Sequence, residues 1–195
     1  LDIPVSLITD EPDRVAAQFP DHPFDQVIAI PPSRLTQQRK FHDGAIASKT
    51  VEWKNFSRFS VYNLTPYDTT LVVDSDYILN SSILKNAFDS FNDFQIYKRS
   101  FELADKKDNA FARINPYSIP FYWATVFMFR KTELNECFFT LIEYIKDNWI
   151  YFRTLYNIDH HNFRNDFAFS IAIHIMNGKT EGGFAAELPG AMTYI

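Results

Sequence analysis

One cysteine, Cys137, is all the chain has, so no disulfide can form within it. Its apolar helical surroundings predict a buried, inert thiol, and the missing cross-links fit a reducing, cytoplasmic setting. No apolar run reaches membrane-spanning length, and no secretory leader is recognisable. The sequons at Asn55, Asn63 and Asn80 are therefore read as accidental. There is no His-Glu-x-x-His pattern, no cysteine pair and no glycine-rich phosphate loop, which removes the common zinc and mononucleotide-loop chemistries. Basic charge is also short. A net charge of −5 argues against a nonspecific nucleic-acid binder, although Arg34, Arg39, Lys40, Lys49, Lys54 and Arg58 gather in the first third.

Aromatic residues are abundant. They make up 17% of the 195 residues, and 20 of them are phenylalanine. Most are expected in a core, with others free to stack on a base or sugar in a cleft. The length suits one well-buried domain. The chain opens on Leu1 almost directly into a strand and is read as a fragment of a longer protein, with neighbouring elements missing at both ends.

Strand patterns appear at Ile3 to Thr9, at Phe24 to Ile30, and in the run that ends at Val73. Phe94 to Leu103 alternates like an exposed strand, and Phe121 to Arg130 is the longest strand candidate. Asp10 to Asp13 reads as a helix entry with an aspartate cap. Ser33 to Gly44 reads as an irregular loop, and Ala45 to Asn63 as a helix with Ile46, Trp53, Phe56 and Phe59 on one face. Asn80 to Ser82 caps a short helix through Phe88. Thr132 caps an amphipathic helix to about Tyr151. A further helix runs from Arg164 to Met176 and stops at Asn177-Gly178. Phe184 to Leu188 starts a final strand. Alternating strands and helices predict an α/β domain with a mainly parallel sheet flanked by helices.

The chemistry concentrates at Leu71-Val72-Val73-Asp74-Ser75-Asp76. A β-branched run ends in two aspartates, with apolar Tyr77-Ile78-Leu79 beyond them. In open α/β sheets ligands bind at the carboxyl ends of strands. Two carboxylates there suit Mg²⁺ or Mn²⁺ carrying a phosphate ligand, and charges inside an apolar run are costly unless satisfied. The plainer reading makes them turn aspartates that cap the helix near Ser81. Asp166 opens a helix and is the candidate general base, or simply a carboxylate favoured by the helix dipole. His174 reads as a packed core histidine. His160 and His161 are neighbours that rarely face one metal.

Pro66 to Asp76 resembles the segment of GT-A-type glycosyltransferases in which a strand delivers a DxD motif. The flavour is that of the glycogenin-like and lipopolysaccharide-galactosyltransferase-like branch, with its bacterial and phage relatives. Phe121 to Asn135 is similar to the family's acceptor-side strand and following helix. Arg164 to Ala168 resembles its later acidic helix start. The resemblance implies a GT-A-like (Rossmann-like) fold and transfer of a sugar from a nucleoside diphosphate to an acceptor hydroxyl on a glycan, a protein or a modified nucleobase. It implies Asp74 and Asp76 as ligands of Mn²⁺ or Mg²⁺, with Asp74 nearer the ribose and Ser75 touching it. It also implies Arg58 and Lys49 near the phosphates, and Trp123, Ala124 and Asn165 along the donor site. Here Tyr122-Trp123-Ala124-Thr125 replaces the family's small-residue turn, so Trp123 either narrows the sugar pocket or fills core. Retention and inversion both stay open. So do a degenerate sugar-nucleotide-binding domain, a Mg²⁺-dependent nucleotidyltransferase and a purely structural domain.

Overall fold

The computed structural model describes residues 3–31, 36–43, 47–54, 56–103, 106–108 and 111–194. They fall into two compact units, residues 1–55 and 56–195. In the first unit, β1 (Ser6–Thr9) and β2 (Gln26–Ala29) pair in parallel across the helix α1 (Pro12–Gln18). Pro12 occupies the first turn of α1, where its missing N–H costs nothing. The expected aspartate cap is absent: Glu11 holds that position and its side chain makes no capping bond.

The same unit corrects two expectations. Gln37–Asp43 and Ala47–Trp53 form an antiparallel ribbon, β3 and β4, in place of a loop and a helix. Thr50, Val51 and Trp53 favour a pleated strand, and pairing with β3 overrides the weak helical spacing. Ser33 to Leu35, Gly44 to Ile46 and Asn55, which also belong to those expected elements, lie outside the described residues.

The second unit carries the core. Arg58–Ser60 forms one 3₁₀ turn and runs into α2 (Val61–Leu64). Next comes β5 (Thr69–Val73), and then a 3₁₀ stretch, Ile83–Ala87, where a short helix was expected. β6 (Phe94–Tyr97) and β7 (Ser100–Glu102) divide the predicted Phe94 to Leu103 strand. Every residue of β6 is buried, because β6 lies inside the sheet instead of on its surface. After β8 (Lys107–Asp108) comes β9 (Trp123–Arg130). The long helix divides at Asn148 into α3 (Glu133–Asp147) and α4 (Trp149–Leu155). There the asparagine side chain donates to Tyr144 O (2.9 Å), four residues back, and competes with the helix backbone. α5 (Asn165–Met176), β10 (Ala186–Glu187) and β11 (Met192–Tyr194) follow.

The main sheet has the order β10-β6-β9-β5. β10 runs parallel to β6, while β6 and β5 both run antiparallel to β9. The protein is thus α/β with mixed pairing in this sheet, where a mainly parallel one was expected. β11, β7 and β8 form a second sheet, with β11 parallel to β7. α3 and α5 pack together, and α5 packs on β9. Their phenylalanines meet those of the sheet: Phe127, Phe129, Phe138 and Phe169 are fully buried around Phe139. Cys137 lies on the outer side of α3 and is exposed, contrary to expectation.

Thr132 caps α3 as predicted, its side chain accepting from Asn135 N (3.3 Å). Asn135 is itself buried and donates to Asp93 O (2.8 Å) and Arg130 O (2.9 Å), which fastens the helix start to the ends of β6 and β9. Thr132→Ala is expected to lower the unfolding free energy by about 1 kcal/mol, measured by urea denaturation. A change under a few tenths would show that Asn135 alone holds this end.

Candidate functional site

β5 delivers the acidic pair to the edge of the sheet. Asp74 N donates to Thr125 O (3.1 Å), which extends the β5–β9 ladder one residue past the strand. Tyr77 N then donates to Asp74 O (3.0 Å) and closes a four-residue turn with Ser75 and Asp76 at its tip. Ser75 and Asp76 are exposed and Asp74 is partly covered. The aspartates are turn residues, as the plainer reading had it, but they do not cap the Ile83–Ala87 stretch. Ser82 holds the cap position without a side-chain capping bond, and Ser81 Oγ accepts from Ile83 N (3.4 Å).

Arg58 reaches this turn from the 3₁₀ segment before β5. Its guanidinium pairs with Asp74 Oδ1 and also donates to Ala124 O on β9. The Arg58 side chain is only 10% exposed and that of Asp74 27%, so the pair is largely withdrawn from water. Burial pushes the Asp74 carboxyl up. The Arg58 charge and hydrogen bond pull it down, and the charges of Asp76 and Asp166 push it up again. The balance lies above the ordinary carboxylate value.

Asp166 comes from the second residue of α5, where the helix dipole favours a carboxylate. Its Oδ1 accepts from Ala124 N (3.0 Å). Its Oδ2 accepts from Arg164 Nη2 (2.7 Å) and Nε (3.3 Å). One turn later Ser170 Oγ donates to Asp166 O (2.7 Å) and accepts from Tyr122 N (2.9 Å). α5 thereby grips the start of β9 twice. Ala124 is the hub, since its N–H meets Asp166 and its carbonyl meets Arg58.

No match to a known protein was found. No family model, no curated protein and no solved structure is significantly similar to the chain. The residues alone carry the functional reading.

Of the expected site residues, Arg58, Asp74, Ser75, Asp76, Ala124 and Asp166 come together at the end of β5. Asn165 is buried as the first residue of α5. Trp123 fills core: it is 7% exposed and packs edge-on against Phe111 and Phe121 and beside Tyr194 (5.0 Å). Lys49 belongs to the first unit, exposed on β4, and not to a helix leading into β5. His174 is half-buried, and its Nδ1 meets the Tyr156 hydroxyl (3.1 Å). His160 and His161 are exposed. Arg164 and Ser170 were missed as site residues. The only cue to Arg164 is a cation two positions before Asp166 at a helix start. Ser170 carries no cue beyond its one-turn spacing.

Among the described residues no three His, Cys, Asp or Glu side chains are arranged to hold a metal ion. Mg²⁺ needs no such cage; it keeps several waters and uses one or two carboxylates plus substrate phosphates. Asp76 has no hydrogen bond or ion pair to another described residue, and Asp74 retains Oδ2 beyond its bond to Arg58. The exposed Asp76 carboxylate and Oδ2 of the partly covered Asp74 are the oxygens that could hold a divalent ion.

Proposed function

We propose that the chain is a GT-A-like, metal-dependent glycosyltransferase that moves a sugar from a nucleoside diphosphate to the hydroxyl of a glycan, protein or modified nucleobase. The observation that carries this reading is convergence. Asp74 and Asp76 from one element and Asp166 from another gather at a strand end, with Arg58 paired to Asp74 and Arg164 to Asp166. Asp76, with Asp74 beside it, would hold Mn²⁺ or Mg²⁺. When bound, the ion neutralises the leaving diphosphate.

The chain's own residues do the rest. Arg58 holds Asp74 and the Ala124 carbonyl in register, and its charge faces the region where the leaving group gathers negative charge. Asp166 is fixed through both oxygens, so its carboxylate cannot swing. In inversion it accepts the acceptor hydroxyl's proton; in retention it orients the sugar. Its bond to Arg164 keeps it aimed. No described helix is long and apolar enough to cross a membrane, and the proposed setting is cytoplasmic.

A second reading has its own support. The Arg58–Asp74 ion pair occupies one of the expected metal ligands, as in a sugar-nucleotide-binding domain without transfer. Calorimetry of UDP and GDP separates the two. The expected result is nucleotide binding that requires Mn²⁺ and is lost in Asp76→Asn. Equal affinity with and without Mn²⁺ would remove the metal and favour the second reading.

A further inference from the structure

Apart from Arg58, the cations that gather in the first third of the sequence have no part in the site at the end of β5. Arg39, Lys40 and Lys49 fall in β3 and β4, against Asp43 and Glu52. Glu52 pairs with Lys54 beyond the strand (3.4 Å). Lys40 and Lys49 are exposed, and neither has a hydrogen bond or ion pair to another described residue.

The ribbon that carries them stands alone. β3 and β4 make a two-stranded sheet of their own, and within their unit neither packs extensively on β1, α1 or β2. A lone two-stranded ribbon is marginal in water without a surface to pack on. Register fixes where the charges lie. Lys40 stands opposite Thr50 and Lys49 opposite Phe41, on adjacent rungs of the ladder. Pleating sends adjacent rungs to opposite faces, so each face of the ribbon carries one lysine. Both lie near the end where Asp43 pairs with Ala47. At about 3.4 Å per residue, that end is roughly 10 Å from Lys40 and nearer to Lys49.

We propose that the β3–β4 ribbon binds duplex DNA by entering the major groove end-first, with Lys40 and Lys49 on the phosphates of its two walls. The dimensions agree. The groove is about 12 Å wide and about 8.5 Å deep, and it admits a two-stranded ribbon. A sheet layer is about 10 Å thick, so one face meets each wall and the lysines come level with the groove's rim. The net charge of −5 belongs to the whole chain; phosphates need meet only the ribbon, where positive charge predominates. Such contacts give affinity without reading bases. Double-stranded RNA is excluded, because its major groove is deep and narrow. The inference does not depend on the transfer reading. Taken with it, it selects the modified nucleobase among the acceptors.

The test is fluorescence anisotropy of a fluorescein-labelled DNA duplex of about 20 base pairs, titrated with the full chain without Mn²⁺ or nucleotide. The expected Kd is on the order of 10⁻⁵ M at about 50 mM salt. Counting Arg39 with the two lysines, affinity should fall about 40-fold between about 50 and 200 mM salt. Lys40→Gln and Lys49→Gln should each weaken binding about tenfold at the lower salt and flatten the salt slope by about 0.9. Lys85→Gln, at an exposed lysine of the Ile83–Ala87 stretch, should change nothing, and the urea midpoint should hold in all three variants. The matching RNA duplex should bind about tenfold more weakly or not at all. Absence of DNA binding up to about 10⁻⁴ M chain would overturn the proposal. So would binding that ignores both ribbon lysines, that Lys85→Gln weakens equally, or that is as tight to RNA.

Discussion

Arg58→Met is expected to cost about 3 kcal/mol of unfolding free energy at neutral pH. Removing one partner of a buried ion pair strands the other charge, a loss of about 3–5 kcal/mol when burial is complete. The lower end applies because Asp74 keeps 27% of its side-chain surface in water. The loss should depend on pH in a definite direction. Asp74 already titrates above its ordinary value of 3.8 in the folded chain, and Arg58 is what pulls it down. Without Arg58 the folded-state value rises further. A carboxyl raised on folding favours the fold when protonated, so its contribution is complete below the unfolded value and is lost as pH rises through the folded one. The gap between Arg58→Met and the parent should thus be widest at neutral pH and shrink on acidification through Asp74's raised folded value. Urea unfolding at several pH values measures it, and a gap that ignores pH would show that lost packing, not a stranded carboxylate, is responsible. Adding Asp74→Leu should recover most of the loss, since neither charge is then buried.

Asp166→Asn is expected to reduce sugar transfer by about 10²- to 10⁴-fold, the usual weight of a positioned acid or base. Nucleotide affinity should change only a few-fold. Asparagine can still accept from Ala124 N through its oxygen, which preserves the hub. Its amide nitrogen then faces the Arg164 guanidinium, donor against donor, so the charge and the aim are lost together. Asp166→Ala goes further. It leaves the Ala124 N–H and the Arg164 charge without their partner, which should cost about 1–3 kcal/mol of stability as well. Transfer assays with donor hydrolysis as a second readout, alongside calorimetry of UDP, separate these effects. If Asp166→Asn loses binding and turnover together, the residue is a structural clasp between α5 and β9.

The acidic strand end, β9, the capped α3 and α5 were all legible in the sequence because each is a local pattern. A β-branched run stopped by charge reads as β5. Thr132 ahead of an apolar stripe reads as a helix start, and Asn177-Gly178 as a stop, with Gly178 at a φ of +71°. What failed was non-local. Trp53, Phe56 and Phe59 stand three apart and mimic a helix face, yet hydrogen bonds to Gln37–Asp43 decide that β4 is a strand. Phe94 to Leu103 alternates like a surface strand, yet β9 and β10 on either side bury β6. Cys137 shares a helix with a buried stripe but points away from it. The motif marked Asp74 and Asp76 correctly as neighbours at a sheet edge. It could not show that Arg58 is spent on Asp74 and Ala124, because that contact depends on how the chain folds back between the 3₁₀ turn and β9.

The parallel pairing of β10 with β6 has a kinetic side. Tyr97 and Pro189 stand 92 positions apart in the chain, so closing that loop comes at a high entropic cost and late in folding. Until it closes, β6 is an open edge of Phe-Gln-Ile-Tyr, apolar and unpaired on one side, the kind of surface that recruits a neighbouring chain. Cutting the chain before Ala186 should therefore yield a species that aggregates through β6.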